Sequence, residues 1–108
     1  MEHHVDREFA GMSPVHIINN AAVCAAALIY GKGDPDASVC AAVTGGLDTD
    51  CNGATVGAIA GILSGRRNFG GTLAARLNDT IRAEFGEFQC VAMSALAERT
   101  LAVHRNIR

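Results

Sequence analysis

An all-α fold is predicted for this chain by three features of its sequence. Helix starts that pair a capping residue with proline recur at Ser13-Pro14 and Asp34-Pro35. Glycines stand where the apolar runs after them end, and no apolar–polar alternation of period two extends over a useful length. The length of 108 residues, with 49% hydrophobic and 19% charged residues, fits one compact domain and excludes a disordered tail.

Each element follows from local signals. Residues 1–12 read as irregular. Ser13 at the N-cap and Pro14 at the first helical position open a helix over Val15–Tyr30. Its early part is polar, with His16, Asn19 and Asn20; its later part, Ala21 to Ile29, is apolar on every side, the pattern of a helix buried all round. Gly31 ends it, in a Gly31-Lys32-Gly33 turn. Asp34-Pro35 starts a second helix that runs to about Val43 or Thr44 and stops at Gly45-Gly46. Leu47–Asp50 forms a loop. A third helix is expected from near Cys51 to Ser64, with Gly65 as a left-handed stop. Residues 66–78 read as a loop and Asn78–Phe85 as a short helix. Phe85–Val91 fits loop or strand, and Ser94 caps a last helix through about His104.

Composition narrows the function classes. Only 5% of the residues are aromatic, and alanine and glycine dominate. Small side chains bury little area each, at roughly 25 cal/mol per Å² of apolar surface, so such a core gains by close backbone approach. Met12, Met93 and the phenylalanines read as core fillers. A net charge of −2 argues against a nucleic-acid partner. The longest apolar run, Ala21–Tyr30, is half of the ~20 residues that span a bilayer, so no membrane partner is expected. No signal-peptide pattern opens the chain, which makes the cytoplasm the default location. The four cysteines, at 24, 40, 51 and 90, match no zinc spacing. Cys24 and Cys40, among alanines and valines, read as reduced, buried small hydrophobes. No GxxxxGK[ST] phosphate loop occurs.

The third helix carries Gly53, Gly57, Gly61 and Gly65 at four-residue intervals. Each interior glycine costs about 0.5–1 kcal/mol relative to alanine. Residues four apart form a ridge, and a glycine ridge lets a second backbone approach closely. With Val56, Ile59, Ile62 and Leu63 on its other sides, this helix is expected to be central and covered on most sides.

Two carboxylates, Asp48 and Asp50, stand at the entry to that helix, after a flexible Gly45-Gly46 pair. One reading is a helix cap that favours the helix dipole. The other is a hard-cation site, in which Asp48, Thr49 and Asp50 offer oxygen ligands. One aspartate suffices for a cap, whereas two adjacent carboxylates repel unless a cation lies between them.

The stretch Gly45-Gly46-Leu47-Asp48-Thr49-Asp50-Cys51-Asn52-Gly53-Ala54 resembles the C-terminal metal motif of the ADP-ribosylglycohydrolase family: glycines, an Asp-Thr-Asp triplet, then a small-residue helix with glycine every four residues. The family includes enzymes that release ADP-ribose from arginine or serine side chains and the dinitrogenase reductase-activating glycohydrolases. The resemblance extends upstream through Ser13–His16, Asn19–Ala21 and Tyr30–Asp34. Downstream it takes in Leu77–Asp79 and Leu96–Thr100, covering about residues 9–104. It implies an orthogonal helical bundle and a metal-dependent hydrolase that cleaves an ADP-ribosyl N- or O-glycosidic bond. It also implies two Mg2+ (or Mn2+) ions, which hold the ribose and position water. Carried over, the metal ligands are Asp48, Asp50 and Cys51; no catalytic residue is assigned. His16 and Asn20 are candidates to face the substrate cleft, against a capping or hydrogen-bonded role. Asn52 either orients a water or satisfies the first turn.

Two departures matter. Cys51 stands where many members carry Thr or Ser, and a thiol is a poor partner for magnesium. Either this branch coordinates without that side chain or its metal preference differs. The family's other ligands, a Thr/Ser-Asp-Asp motif and a glutamate, lie near the N-terminus of its enzymes and do not occur here. The expectation is therefore the C-terminal portion of such a domain, contributing half a metal site. Its partners are then the N-terminal half of the same domain and an ADP-ribosylated substrate. The alternative is a catalytically inactive all-α remnant or a partner-binding structural protein.

Overall fold

The computed structural model describes residues 5, 7–65, 72–84, 86 and 89–107. The chain divides into two compact units, Met1–Gly71 and Thr72–Arg108.

Among the described residues, the first unit is built from three helices. Before them, Val5, Arg7 and Glu8 lie in a helical turn, with the Phe9 N–H donating to the Val5 carbonyl at 3.0 Å. The expectation that residues 1–12 are irregular is corrected to that extent; residues 1–4 and 6 lie outside the described residues. Helix α1 spans Ile17–Gly31, and its cap is His16, whose Nδ1 accepts from the Ile18 N–H at 3.2 Å. Ser13 is therefore not the cap. Ser13–His16 closes a turn instead, the His16 N–H donating to the Ser13 carbonyl at 2.9 Å. The Asn19 and Asn20 amides then take the Ser13 and Pro14 carbonyls at 2.9 and 2.7 Å. Side-chain donors thus replace the helical ladder before Ile17. Lys32, left-handed at φ 50°, ends the helix.

Helix α2, Pro35–Thr44, starts as expected: Asp34 Oδ1 accepts from the Ala37 N–H at 3.1 Å and Pro35 needs no hydrogen-bond partner there. Helix α3, Thr49–Ser64, begins two residues before Cys51, and Gly65 closes it at φ 68° with its N–H on the Gly61 carbonyl.

The core of this unit is small: Val23, Cys24, Ala27, Ala41, Ala42, Val56 and Ala60, with Leu28 and Val39 packed against it. Alanine cores require short interhelical distances, and glycines provide them. A Cβ on Gly31 would lie 1.9 Å from Ser38 Oγ and 2.8 Å from Ser38 Cα. On α3 the glycine ridge faces α2: a Cβ on Gly53 or Gly57 would meet Val43 Cγ2 at 3.3 Å or Val39 Cγ2 at 3.5 Å.

Two burial expectations are corrected. The later part of helix α1 is not buried all round, since Ile29 is 77% exposed and Ala21 and Ala25 are exposed. Helix α3 buries only the stripe Asn52, Val56 and Ala60, leaving Ile62 and Leu63 83% and 74% exposed. Three helices share one small core, so each keeps an open face. Cys24 is buried as expected, but Cys40 lies on the open side of α2. Phe9, Met12 and Met93 are half-buried at the edges rather than in the core. Phe69, Phe85 and Phe88 lie outside the described residues.

The second unit contains α4 (Thr72–Arg76), β1 (Thr80–Ile81), β2 (Val91–Ala92) and α5 (Met93–Ile107). The strands pair antiparallel, Thr80 opposite Ala92 and Ile81 opposite Val91. The expected loop over 66–78 holds α4 instead; residues 66–71 lie outside the described residues. The expected helix over Asn78–Phe85 is absent, because Asn78 and Asp79 are both left-handed, at φ 49° and 50°. Of Phe85–Val91, Val91 belongs to β2. Ser94 is the second residue of α5, not its cap. The Asp79 carboxylate performs the capping, accepting from the Ser94 N–H at 2.9 Å and from the Ser94 hydroxyl. Among the described residues the chain is all-α apart from this short ladder. Among the described residues no helix is long and apolar enough to cross a membrane.

Candidate metal centre

The loop between α2 and α3 is shaped by two glycines with different tasks. Gly45 closes α2 with its N–H on the Ala41 carbonyl, and a Cβ there would meet Val23 Cγ1 at 3.0 Å. Gly46 turns the chain at φ 74°, and Leu47 follows at φ 61°. A bulky residue in the left-handed region is strained by roughly 1–2 kcal/mol. That reversal brings Asp48 to the N-cap of α3, with Thr49, Asp50 and Cys51 in the first turn.

Asp48 makes no side-chain cap hydrogen bond. The Asp48 side chain is therefore not a simple cap of α3. Instead, ligating atoms of Asp48, Asp50 and Cys51 all lie within 4.8 Å of one another. Asp48 is half-buried and the other two are exposed. The Asp50 carboxyl is held below the usual carboxylate range, chiefly by a hydrogen bond with the Asp48 side chain and then by the Asp50 and Cys51 backbone N–H groups. The Cys51 thiol is pushed up by a hydrogen bond with Asp48 and by the two negative charges. Either a shared proton or a cation relieves such crowding. The donor chemistry fits a hard divalent cation at the two carboxylates; the thiol is the soft member of the set.

Behind the carboxylates lies a buried amide network. Asn20 Oδ1 accepts from the Asp48 N–H at 3.1 Å and from Asn52 Nδ2 at 2.7 Å. Asn20 Nδ2 donates to the Pro14 and His16 carbonyls at 2.7 and 2.8 Å and to Asn19 Oδ1 at 3.1 Å. Asn52 Oδ1 in turn accepts from the Cys24 thiol at 3.5 Å. Burial pushes that thiol's pKa up. Among the described residues, no buried side-chain nitrogen or oxygen lacks a partner.

An open cleft of about 600 Å³ runs between α1 and α3 and reaches Asp48 and Cys51, with Ala21, Ala25, Leu28 and Ile59 among its walls. Asn20 touches it, but its polar atoms are engaged in the network. His16 does not line it and is spent on capping α1. Asn52 bonds across to α1 rather than satisfying its own turn. The Asn20–Asn52 pair spans 32 residues of sequence and left no local signal; polar residues within otherwise apolar or glycine-rich helices were the only hint.

The sequence model of one protein family, described as ADP-ribosylglycohydrolase, matches residues 2–106. No curated protein and no solved structure gives a match. The chain belongs to the ADP-ribosylglycohydrolase family, and its all-α architecture agrees with that membership.

Proposed function

From this membership we propose that the chain supplies the Asp48–Asp50 part of a divalent-cation centre. The hydrolase it serves would cleave an ADP-ribosyl N- or O-glycosidic bond. The observation that carries the proposal is the convergence of Asp48, Asp50 and Cys51 within 4.8 Å, with Asp48 not spent as a cap. Mg2+ prefers about six oxygen ligands in an octahedron, so two carboxylates leave most positions to water or to other groups. In the proposed enzyme those come from a Thr/Ser-Asp-Asp segment in the N-terminal half of the same domain and from the substrate. The bound cations would supply positive charge that draws ribose oxygens and acidifies a nearby water. The chain's own residues hold Asp48 at the apolar cleft between α1 and α3, with the exposed Asp50 beside it.

A second reading, an inactive helical protein that binds a partner, is favoured by the exposed Ile17, Ile29, Ile62 and Leu63. Mn2+ titration followed by electron paramagnetic resonance separates the two. Asp48→Asn and Asp50→Asn each weaken Mn2+ binding at least tenfold if the centre is real, about 1.4 kcal/mol per variant. Undiminished binding in both overturns the assignment. Release of ADP-ribose from arginine- and serine-modified peptides then tests the reaction.

A further inference from the structure

The cap residue of a helix carries an N–H that no intrahelical bond satisfies. In α3 that residue is Asp48, one of the two carboxylates of the candidate centre, and the group that satisfies it is Asn20 on a different helix. The loop that delivers Asp48 is held locally by the Gly46 N–H on the Val43 carbonyl and the Thr49 N–H on the Leu47 carbonyl, at 3.1 Å each, and Asn20 adds a bond from another helix. Gly46 and Leu47 are both at positive φ, and Asp48 itself, at φ −84° and ψ 74°, is neither helical nor extended. Asn20 is 9% exposed, and its orientation is fixed by chemistry. A backbone N–H can only donate, so the atom facing Asp48 must be Oδ1. Nδ2 then faces the Pro14 and His16 carbonyls, which can only accept. Asn52, 3% exposed, clamps the same oxygen from the first turn of α3.

We infer that Asn20 is a positioning residue for the Asp48 ligand. It fixes the backbone from which that carboxylate branches and ties it to α1. The inference rests on the proposed cation centre. Outer groups that orient a ligand typically contribute 10–100-fold to metal affinity. The structure also provides an internal control. Asn19, 1% exposed against 9% for Asn20, braces the same N-terminal turn through the Ser13 carbonyl; its Oδ1 accepts from Asn20 Nδ2, but none of its bonds reaches the Asp48 loop itself.

The test compares Asn20→Ala with Asn19→Ala by Mn2+ titration and by hydrogen exchange at the Asp48 amide in metal-free protein. Unfolding curves confirm that each variant is folded. Asn20→Ala weakens Mn2+ binding about tenfold or more and speeds Asp48 exchange, whereas Asn19→Ala changes Mn2+ affinity less than about threefold. Equal losses in both variants, or a folded Asn20→Ala with wild-type affinity and exchange, overturn the positioning role while leaving the centre standing. If the wild-type protein shows no binding that depends on Asp48 and Asp50, the centre itself fails and the positioning role falls with it. Should Asn20→Ala not fold, Asn20→Ser carries the same expectation: its hydroxyl is one atom shorter than the amide oxygen and does not reach Asp48.

Discussion

Gly31→Ala places one methyl group where α1 meets α2. Its Cβ would lie 2.8 Å from both the Cα and the Cβ of Ser38 and 1.9 Å from its Oγ. Ser38 is 1% exposed, and its hydroxyl donates to the Asp34 carbonyl at 2.7 Å, so rotating it away breaks a partly buried bond. The backbone contact remains in any rotamer, and the helices must part by roughly 0.8 Å to restore ordinary carbon–carbon distance. Overpacking of this kind costs about 1–3 kcal/mol, and the lost Ser38 hydrogen bond about 1 more. Alanine returns up to about 1 kcal/mol in helix propensity. The net loss is about 1–3 kcal/mol, a fall in melting temperature of about 5–15 °C for a chain of this size. Gly57→Ala is the matched contrast. Its Cβ would sit 3.5 Å from Val39 Cγ2, an ordinary contact, so propensity dominates and the variant gains about 0.5–1 kcal/mol. Thermal unfolding followed by circular dichroism measures both. A Gly31→Ala melting temperature within 2 °C of wild type, on the order of the smallest shift worth interpreting, refutes the close-approach argument.

Two further outcomes follow from the cysteines. With Cys40 and Cys90 changed to serine, Cd2+ produces a thiolate charge-transfer band that Cys51→Ser abolishes. The same change improves Mg2+ affinity roughly threefold to tenfold, a single weak ligand's worth; an unchanged spectrum and Mg2+ affinity show that Cys51 does not coordinate. For Cys24, the buried thiol has a raised pKa and so contributes stability that is fully present below the unfolded value. That stability is lost as pH climbs through the folded value. Thiol-reactive dye at pH 8 therefore modifies exposed Cys40 and Cys90 first and Cys24 only on unfolding. Labelling of Cys24 at the rate of Cys40 contradicts its burial.

Signals confined to a few neighbouring residues were sufficient for much of the fold. Asp34-Pro35 starts α2 because the cap and the missing proline N–H act within one turn, and Gly65 ends α3 by the same local logic. The glycine ladder marked the face of α3 that meets α2, although Gly57 has room for a Cβ there, and the Asp48–Asp50 motif pointed to the family. Where side chains far along the chain compete, the local rule failed. Ser13 lost the α1 cap because the Asn19 and Asn20 amides bind the carbonyls of Ser13 and Pro14. Ser94 lost its cap to Asp79, fifteen residues away.

By itself, then, the sequence determined the helical class, the helix ends set by glycine and proline, and which carboxylates converge, since all of these act within one or two turns. The tertiary structure alone decided which faces are covered and what holds Asp48 in place. Burial depends on which helices share the small alanine core, and the Asn20–Asn52 bond joins groups 32 residues apart whose pairing no local propensity encodes.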